Sequence, residues 1–426
     1  MTAFLRLHER CGCAGVSAAP FALAGTERKY ERALPFQVRH LALDLSVDFE
    51  KKAVAGSATL DIERVTPDAD CIRLDAVGFD IHSVRRLTGR SAADAAFEYD
   101  GESLLISGLA KHRRVRLEVR YRAEPRRGLY FLEPDAQVPD RPLQLWSQCQ
   151  DEDARYWVPC HDKPHVKMTT ELSVQVPAGF VALSNGELIA KPEPKKAGAS
   201  QRFHFRLDKP HPSYLLTLVV GKFALVDDRA AALADGRKIP IRYYVPKERK
   251  ADALRSFGET PRMLELFSKL TGVPFPWSRY SQIVVSDFIF GGMENTTATT
   301  LYEHVLLDKR AAIDISSDDL VAHELAHQWF GDFVTCRDWS HAWLNEGFAT
   351  FFEHLERESR WGRDEYDHAI QIDQDAYLSE AGARYQRPIV CRDYAEPIDL
   401  FDRHLYEKGG LVLHMLRLEL GDTLFW

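Results

Sequence analysis

VRLEVRYR at 115–122 alternates apolar and charged positions without a break, the pattern of a strand with one buried face. FQVRHLALDLSVDF (36–49), ELSVQV (171–176) and RFHFRL (202–207) alternate less cleanly, and YLLTLVV (214–220) reads as a buried strand. Asp100-Gly101, Asn185-Gly186 and Asp235-Gly236 supply turns between such runs, and PEPKKAGAS (192–200) reads as an exposed loop. Residues 30–245 are therefore expected to form an antiparallel β domain. The period changes after Pro246. Residues 251–272 have helical character despite Pro261, and SQIVVSDFIF (281–290) reads as a strand. Ser316 and Ser317 ahead of Asp318 and Asp319 predict a helix start, with Gly331 as its end. Further helices are expected over 343–360 and 407–420. Residues 246–426 then make a second, α/β domain, expected to be cut short at its C-terminal end, and residues 1–29 are expected to be a disordered leader.

Composition narrows the function classes. With 426 residues, 45% of them hydrophobic, the chain has enough apolar material for two or three cores. A net charge of -8 argues against a nucleic-acid partner, which leaves a basic footprint. No apolar run reaches the ~20 residues of a membrane-spanning helix. The leader loosely resembles a secretory signal, but glycines break its middle, so a cytoplasmic location is expected. Seven scattered cysteines do not form a disulfide framework, and Cys11 and Cys13 have no second pair at zinc-finger spacing.

The chemistry concentrates in VAHELAHQWFGDFVTCRDWSHAWLNEGFATFF, 321–352. His323 and His327, four apart on a helix, lie about 40° apart on one face and can share a metal ion. Glu324 lies about 60° from His327 around the same axis, within reach of the same cavity. A third ligand must come from elsewhere, and Glu346, opening a second helix, is the best candidate. Two histidines and one glutamate leave a coordination position open, which marks a catalytic zinc site. The chemistry implied is metal-assisted hydrolysis, with Glu324 taking a proton from water and passing it to a leaving amine. A neutral donor facing the developing oxyanion is also required. His304, His341, His354, His404 and His414 lack such pairing, so surface or hydrogen-bonding roles are expected for them.

HELAH, eighteen intervening residues, then Glu346 within NEGFA resembles the zinc aminopeptidases of the gluzincin group, the family of aminopeptidase N and leukotriene-A hydrolase. GGMEN at 291–295, SQCQ at 147–150 with DARYWVPCHDKP after it, and YEKGG at 406–410 extend the resemblance in order and spacing. It implies an α+β multidomain fold, in which an N-terminal antiparallel β saddle domain precedes a thermolysin-like zinc-peptidase domain and then a helical C-terminal domain, the last expected to be absent from this chain. It implies one Zn2+ per chain on His323, His327 and Glu346, with Glu324 as general base and Tyr406 as oxyanion donor. It also implies a substrate surface of Gln148, Gln150, Gly291, Gly292, Met293, Glu294 and Asn295, acting on peptides with a free N-terminus. Chemistry agrees for Glu294, since a carboxylate paired with the substrate α-ammonium holds it at a fixed distance from the metal.

Two departures stand out. Gln150 replaces a glutamate common in the family, removing one negative charge from the amine site. SQCQ is closer to the leukotriene-A hydrolase pattern, but Phe401 stands where that enzyme resembles a second tyrosine, which argues against an epoxide reaction. A thermolysin-like endopeptidase is the competing reading on the same fold. GGMEN counts against it, because a carboxylate facing an uncharged continuing chain incurs a desolvation cost. A zinc-stabilised binding scaffold is the non-enzymatic alternative, disfavoured because every chemical position is filled.

Overall fold

The computed structural model describes residues 19–31, 34–110, 112–190 and 199–426. An eight-stranded sheet runs in the order Glu187–Ala190, Gln201–Pro212, Lys167–Val176, Phe36–Asp48, Ala53–Arg64, Arg114–Ala123, Phe79–Thr88, Ser91–Asp94. The alternation at 115–122 is explained by Val115, Leu117, Val119 and Tyr121, all buried on one face. One pairing departs from the expected antiparallel sheet, since Phe36–Asp48 lies parallel to Lys167–Val176. More than a hundred residues separate these two strands, so no hairpin constrains their direction. A second, four-stranded sheet contains Gln144–Gln148 and delivers Gln148 to the site.

A five-stranded sheet follows, ordered Phe223–Asp227, Ile241–Pro246, Tyr280–Val285, Ala298–Tyr302, Gly292–Met293. A domain division after residue 245 would cut this sheet between Ile241–Pro246 and Tyr280–Val285, which pair in parallel. The sheet instead begins at Phe223, so these strands group with the region that follows. The strand expected over 281–290 stops at Val285, and 286–290 is irregular. Gly292–Met293 is the last strand of its sheet, pairing only with Ala298–Tyr302.

Among the described residues, six α-helices accompany this sheet: α1 Ala253–Phe257, α2 Thr260–Thr271, α3 Asp318–Ala326, α4 Trp343–Trp361, α5 Arg363–Ala383 and α6 Glu407–Phe425. Pro261 does not interrupt a helix; it opens α2, where its missing N–H costs nothing. α3 begins as expected, but the Ser317 hydroxyl donates to the Ser256 carbonyl instead of capping, and Ser316 accepts from the Asp318 N–H. It ends at Ala326, short of Gly331. α5 was not expected from the sequence. α6 is broken at Gly421.

The second glycine-bearing motif has a packing role. A Cβ built on Gly347 of α4 would stand 2.7 Å from the Gly409 Cα of α6. The two helices therefore touch backbone to backbone, fixing the start of α6 against the start of α4. Gly409→Ala is expected to destabilise the protein by about 1–3 kcal/mol, the usual cost of overpacking, read as a lowered midpoint in urea unfolding.

Residues 19–29 correct the expectation of a disordered leader, of which 1–18 lie outside the described residues. The Ala19 N–H donates to the Arg384 carbonyl at 2.7 Å, and the Lys29 N–H to the Arg392 carbonyl at 2.9 Å. Arg28 bridges Asp393. Most of the loop at 192–200 also lies outside the described residues. The five described cysteines are free thiols. No helix among the described residues is long and apolar enough to cross a membrane.

Candidate active site

α3 carries His323, with His327 as the residue just past its end, and the first turn of α4 brings Glu346 to meet them. The Glu346 Oε2 stands 3.3 Å from the His323 Nε2 and 3.1 Å from the His327 Nε2, and the two imidazole nitrogens are 3.0 Å apart. The outer nitrogens fix the tautomers. The His323 Nδ1 donates to Glu353 at 2.6 Å and the His327 Nδ1 to the Phe330 carbonyl at 2.8 Å. Both acceptors lack protons, so each Nδ1 carries one and each Nε2 is left with a lone pair in its neutral form. Three lone-pair donors then converge in a buried space, which either protons or a cation must reconcile.

The electrostatic surroundings say the same. Burial works against charged imidazoles, yet Glu346 and Glu353 lift His323 to about 9, and Glu346 with Glu294 lifts His327 well above its ordinary value. Burial likewise opposes the Glu346 carboxylate, but the two imidazoles hold it down at about 2. A site that attracts this much positive charge suits a metal cation, and two imidazoles with one carboxylate form a zinc-type donor set.

Glu324 is 4% exposed, and its Oε2 has no hydrogen-bond partner. Burial first, with Glu294 and Glu346 nearby, raises its pKa to about 8. A cation at the neighbouring focus lowers it again, leaving a carboxylate poised as a base. Gly292 explains the close fit: a Cβ there would stand 2.1 Å from the Glu324 Oε1. Gly291 has room for a methyl, its nearest neighbour being Leu320 at 3.5 Å. Close approach thus requires only the second glycine of GGMEN.

The remaining motif residues divide. The Gln150 Nε2 lies 3.4 Å from the Glu294 Oε1 and 3.5 Å from the Glu346 Oε1, spanning both carboxylates. The Gln148 Nε2 donates to the Met293 sulfur, leaving its Oε1 unpartnered. Glu294 is buried, and burial raises its pKa. Asn295 does not come to the cavity surface. It is wholly buried and donates to Thr300 at 3.1 Å, so its side chain serves the turn after the edge strand. Tyr406, immediately before α6, has its ring 5.9 Å from that of His323. Gln148, Gln150, Gly291, Gly292, Glu324 and Tyr406 line one cavity of about 780 Å³.

Glu353 was missed by sequence reasoning. It lies seven residues after Glu346 on α4, two turns along the same face, and that spacing was the available signal. Glu353→Gln is expected to weaken zinc binding by about 10–100-fold, as for other carboxylates that orient a ligating histidine, measured by competition with a chromogenic chelator. Among the other histidines, His354 and His404 are buried, and His354 takes the hydrogen-bonding role of the two expected, bonding Asp373 at 2.8 Å. His404 stands 3.5 Å from both Glu380 and Asp402. Those carboxylates are already held by Arg384, Arg387 and Tyr385, so this second acidic cluster is an ion-pair network.

Comparison with known proteins extends the pattern over nearly the whole chain. Residues 29–215 match the Peptidase M1 N-terminal domain and residues 255–426 the Peptidase family M1 domain. The chain is 30% identical over 414 residues to leucine aminopeptidase 2 of Neurospora crassa, covering 93% of this chain and 59% of that protein. It is 30% identical over 332 residues to leukotriene A-4 hydrolase of Xenopus laevis, covering 75% of this chain and 51% of the relative. It thus spans less than two thirds of the length of these relatives. Among solved structures it resembles native yeast LTA4 hydrolase at 26% identity and a TM-score of 0.76, covering 91% of this chain and 60% of that one. It resembles a point mutant of an M1 zinc metallopeptidase from Deinococcus radiodurans, bound to a Tyr-Ser-Ala substrate, at 26% identity and a TM-score of 0.74, covering 92% of this chain and 85% of that one.

Proposed function

The chain belongs to peptidase family M1, and on that premise we propose that it is a zinc aminopeptidase removing the N-terminal residue of peptides. The observation that carries the exopeptidase register is the Gln150 amide, within 3.5 Å of both Glu294 and the candidate metal ligand Glu346. An ammonium held at Glu294 would therefore lie next to the metal focus, leaving little room for more than one residue on the amine side.

His323, His327 and Glu346 would hold one zinc ion per chain. Zinc bound there supplies a Lewis acid that polarises the scissile carbonyl and acidifies water. Glu294 and Gln150 bind the substrate ammonium, and its charge draws Glu294 back to the ionised form that burial disfavours. The backbone of Gly292 and Met293 runs beside the peptide as an edge strand, with Gly292 allowing contact with Glu324. Glu324 accepts the water proton and delivers it to the leaving amine. Tyr406 donates to the oxyanion.

Among the solved neighbours, one M1 zinc metallopeptidase is described as two-domain, and the point mutant from Deinococcus radiodurans is bound to a peptide, which supports a peptide substrate for this fold. The five free thiols favour a reducing compartment, and we place the protein in the cytoplasm. Phe401 lines the cavity without a hydroxyl, so an epoxide reaction is not part of the proposal.

The test is a blocked amine. N-acetylation is expected to lower kcat/KM for an aminoacyl-anilide by at least about a hundredfold, because it removes charge-assisted bonds worth about 1.5–3 kcal/mol each. Equal turnover of free and acetylated substrates, together with cleavage of an end-blocked quenched peptide, would instead establish the endopeptidase reading.

A further inference from the structure

The cavity that contains Gln150, Glu324 and Tyr406 has an unforeseen wall, because Phe21 and Leu23 line it as well. The segment that bears them is tied down at both ends by the backbone bonds from Ala19 to Arg384 and from Lys29 to Arg392. Between them, the Thr26 N–H closes a turn on the Leu23 carbonyl at 3.1 Å. The Phe21 ring meets Tyr385 edge-on at 4.9 Å and lies 5.3 Å from the Arg387 guanidinium. Arg387 is itself buried and clamped by Asp402 at 2.5 Å and by the Leu400 carbonyl at 2.8 Å. Phe21 therefore rests on a rigid platform. Leu23, by contrast, is 76% exposed, a large apolar side chain presented to the cavity with little of its own to cover it.

The size of the cavity says what this wall serves. About 780 Å³ is a volume that encloses a whole small ligand, well beyond a single residue. On the aminopeptidase reading, on which this inference rests, one residue lies on the amine side, next to Gln150 and Glu294. The rest of the space belongs to the leaving part of the peptide. We propose that residues 19–30 form a fixed strap whose Phe21 and Leu23 are specificity determinants, packing against the apolar side chain of the residue that follows the scissile bond.

The experiment compares Leu-Leu-Gly with Leu-Gly-Gly on the full chain loaded with zinc. Phe21→Ala is expected to lower kcat/KM for Leu-Leu-Gly about tenfold, the scale of a lost apolar contact in a pocket, with less than about a twofold change for Leu-Gly-Gly. Phe21→Leu, which keeps an apolar side chain, should restore most of the difference. Leu23→Ser, at the exposed tip where folding is indifferent to it, should shift the same ratio in the same direction. If Phe21→Ala and Leu23→Ser leave the ratio unchanged, or lower both substrates equally, the strap is mere packing and the proposal is overturned. Failure of the aminopeptidase reading looks different: the unaltered protein would then release no leucine from either peptide.

Discussion

Glu324→Gln is expected to lower kcat/KM for aminoacyl-anilides by about a thousandfold or more while the protein still binds one equivalent of zinc. General-base catalysis contributes about 10²–10⁴-fold, and nothing beside Glu324 can replace it. Glu294 is bridged by Gln150, and Glu346 is committed to the two imidazoles. The amide of glutamine has nearly the same shape, so the close contact with Gly292 survives, but it cannot accept the proton. The pH profile supplies a second readout. Burial raises Glu324, and a base must be deprotonated to work, so activity of the unaltered enzyme should fall as pH drops through its pKa in the metal-bound state. Zinc titration of the variant separates this from metal loss. A variant that keeps zinc and near-normal turnover would remove Glu324 from the mechanism.

The metal focus was legible because its requirements are local. Two histidines four apart on a helix must share a face whatever the tertiary structure, and Glu346 stands in a motif of its own. The strands at 36–48 and 114–123 were legible for the same reason, since a half-buried strand writes its burial into alternation. α5 left no such mark. Its buried face includes Asp373 and Glu380 beside Tyr366, Ala369 and Ile370, so a pattern of apolar positions under-reports it. Those acidic groups are satisfied by His354 and Arg384, partners that only tertiary structure supplies. The sheet that spans residue 245 was hidden for a comparable reason, because parallel pairing of Ile241–Pro246 with Tyr280–Val285 joins strands far apart in sequence. Asn295 was carried along by its motif, although its neighbour Thr300 claims its side chain. Phe21 was hidden in a stretch of small residues that has no periodicity, and only its docking on Tyr385 and Arg387 gives it a place beside the cavity.

Tyr406→Phe is expected to lower kcat by about 10²–10³-fold with little change in KM, the signature of a donor whose bond strengthens only in the transition state. The phenol must be protonated to donate. Burial first, then the surrounding charges of Glu346, Glu294 and Glu324, push its pKa well above the ordinary value, which favours the protonated form that donates. Its position is rigid as well. The backbone contact between Gly347 and Gly409 locks the start of α6 to the start of α4, so Tyr406 and Glu346 are held by the same crossing. The phenyl ring of the variant keeps its packing near His323 and Phe401, which should leave stability and zinc affinity unchanged. The measurement is a full kcat and KM determination beside a zinc titration. A rise in KM at constant kcat would make Tyr406 a ground-state contact instead, and the oxyanion would then need another donor.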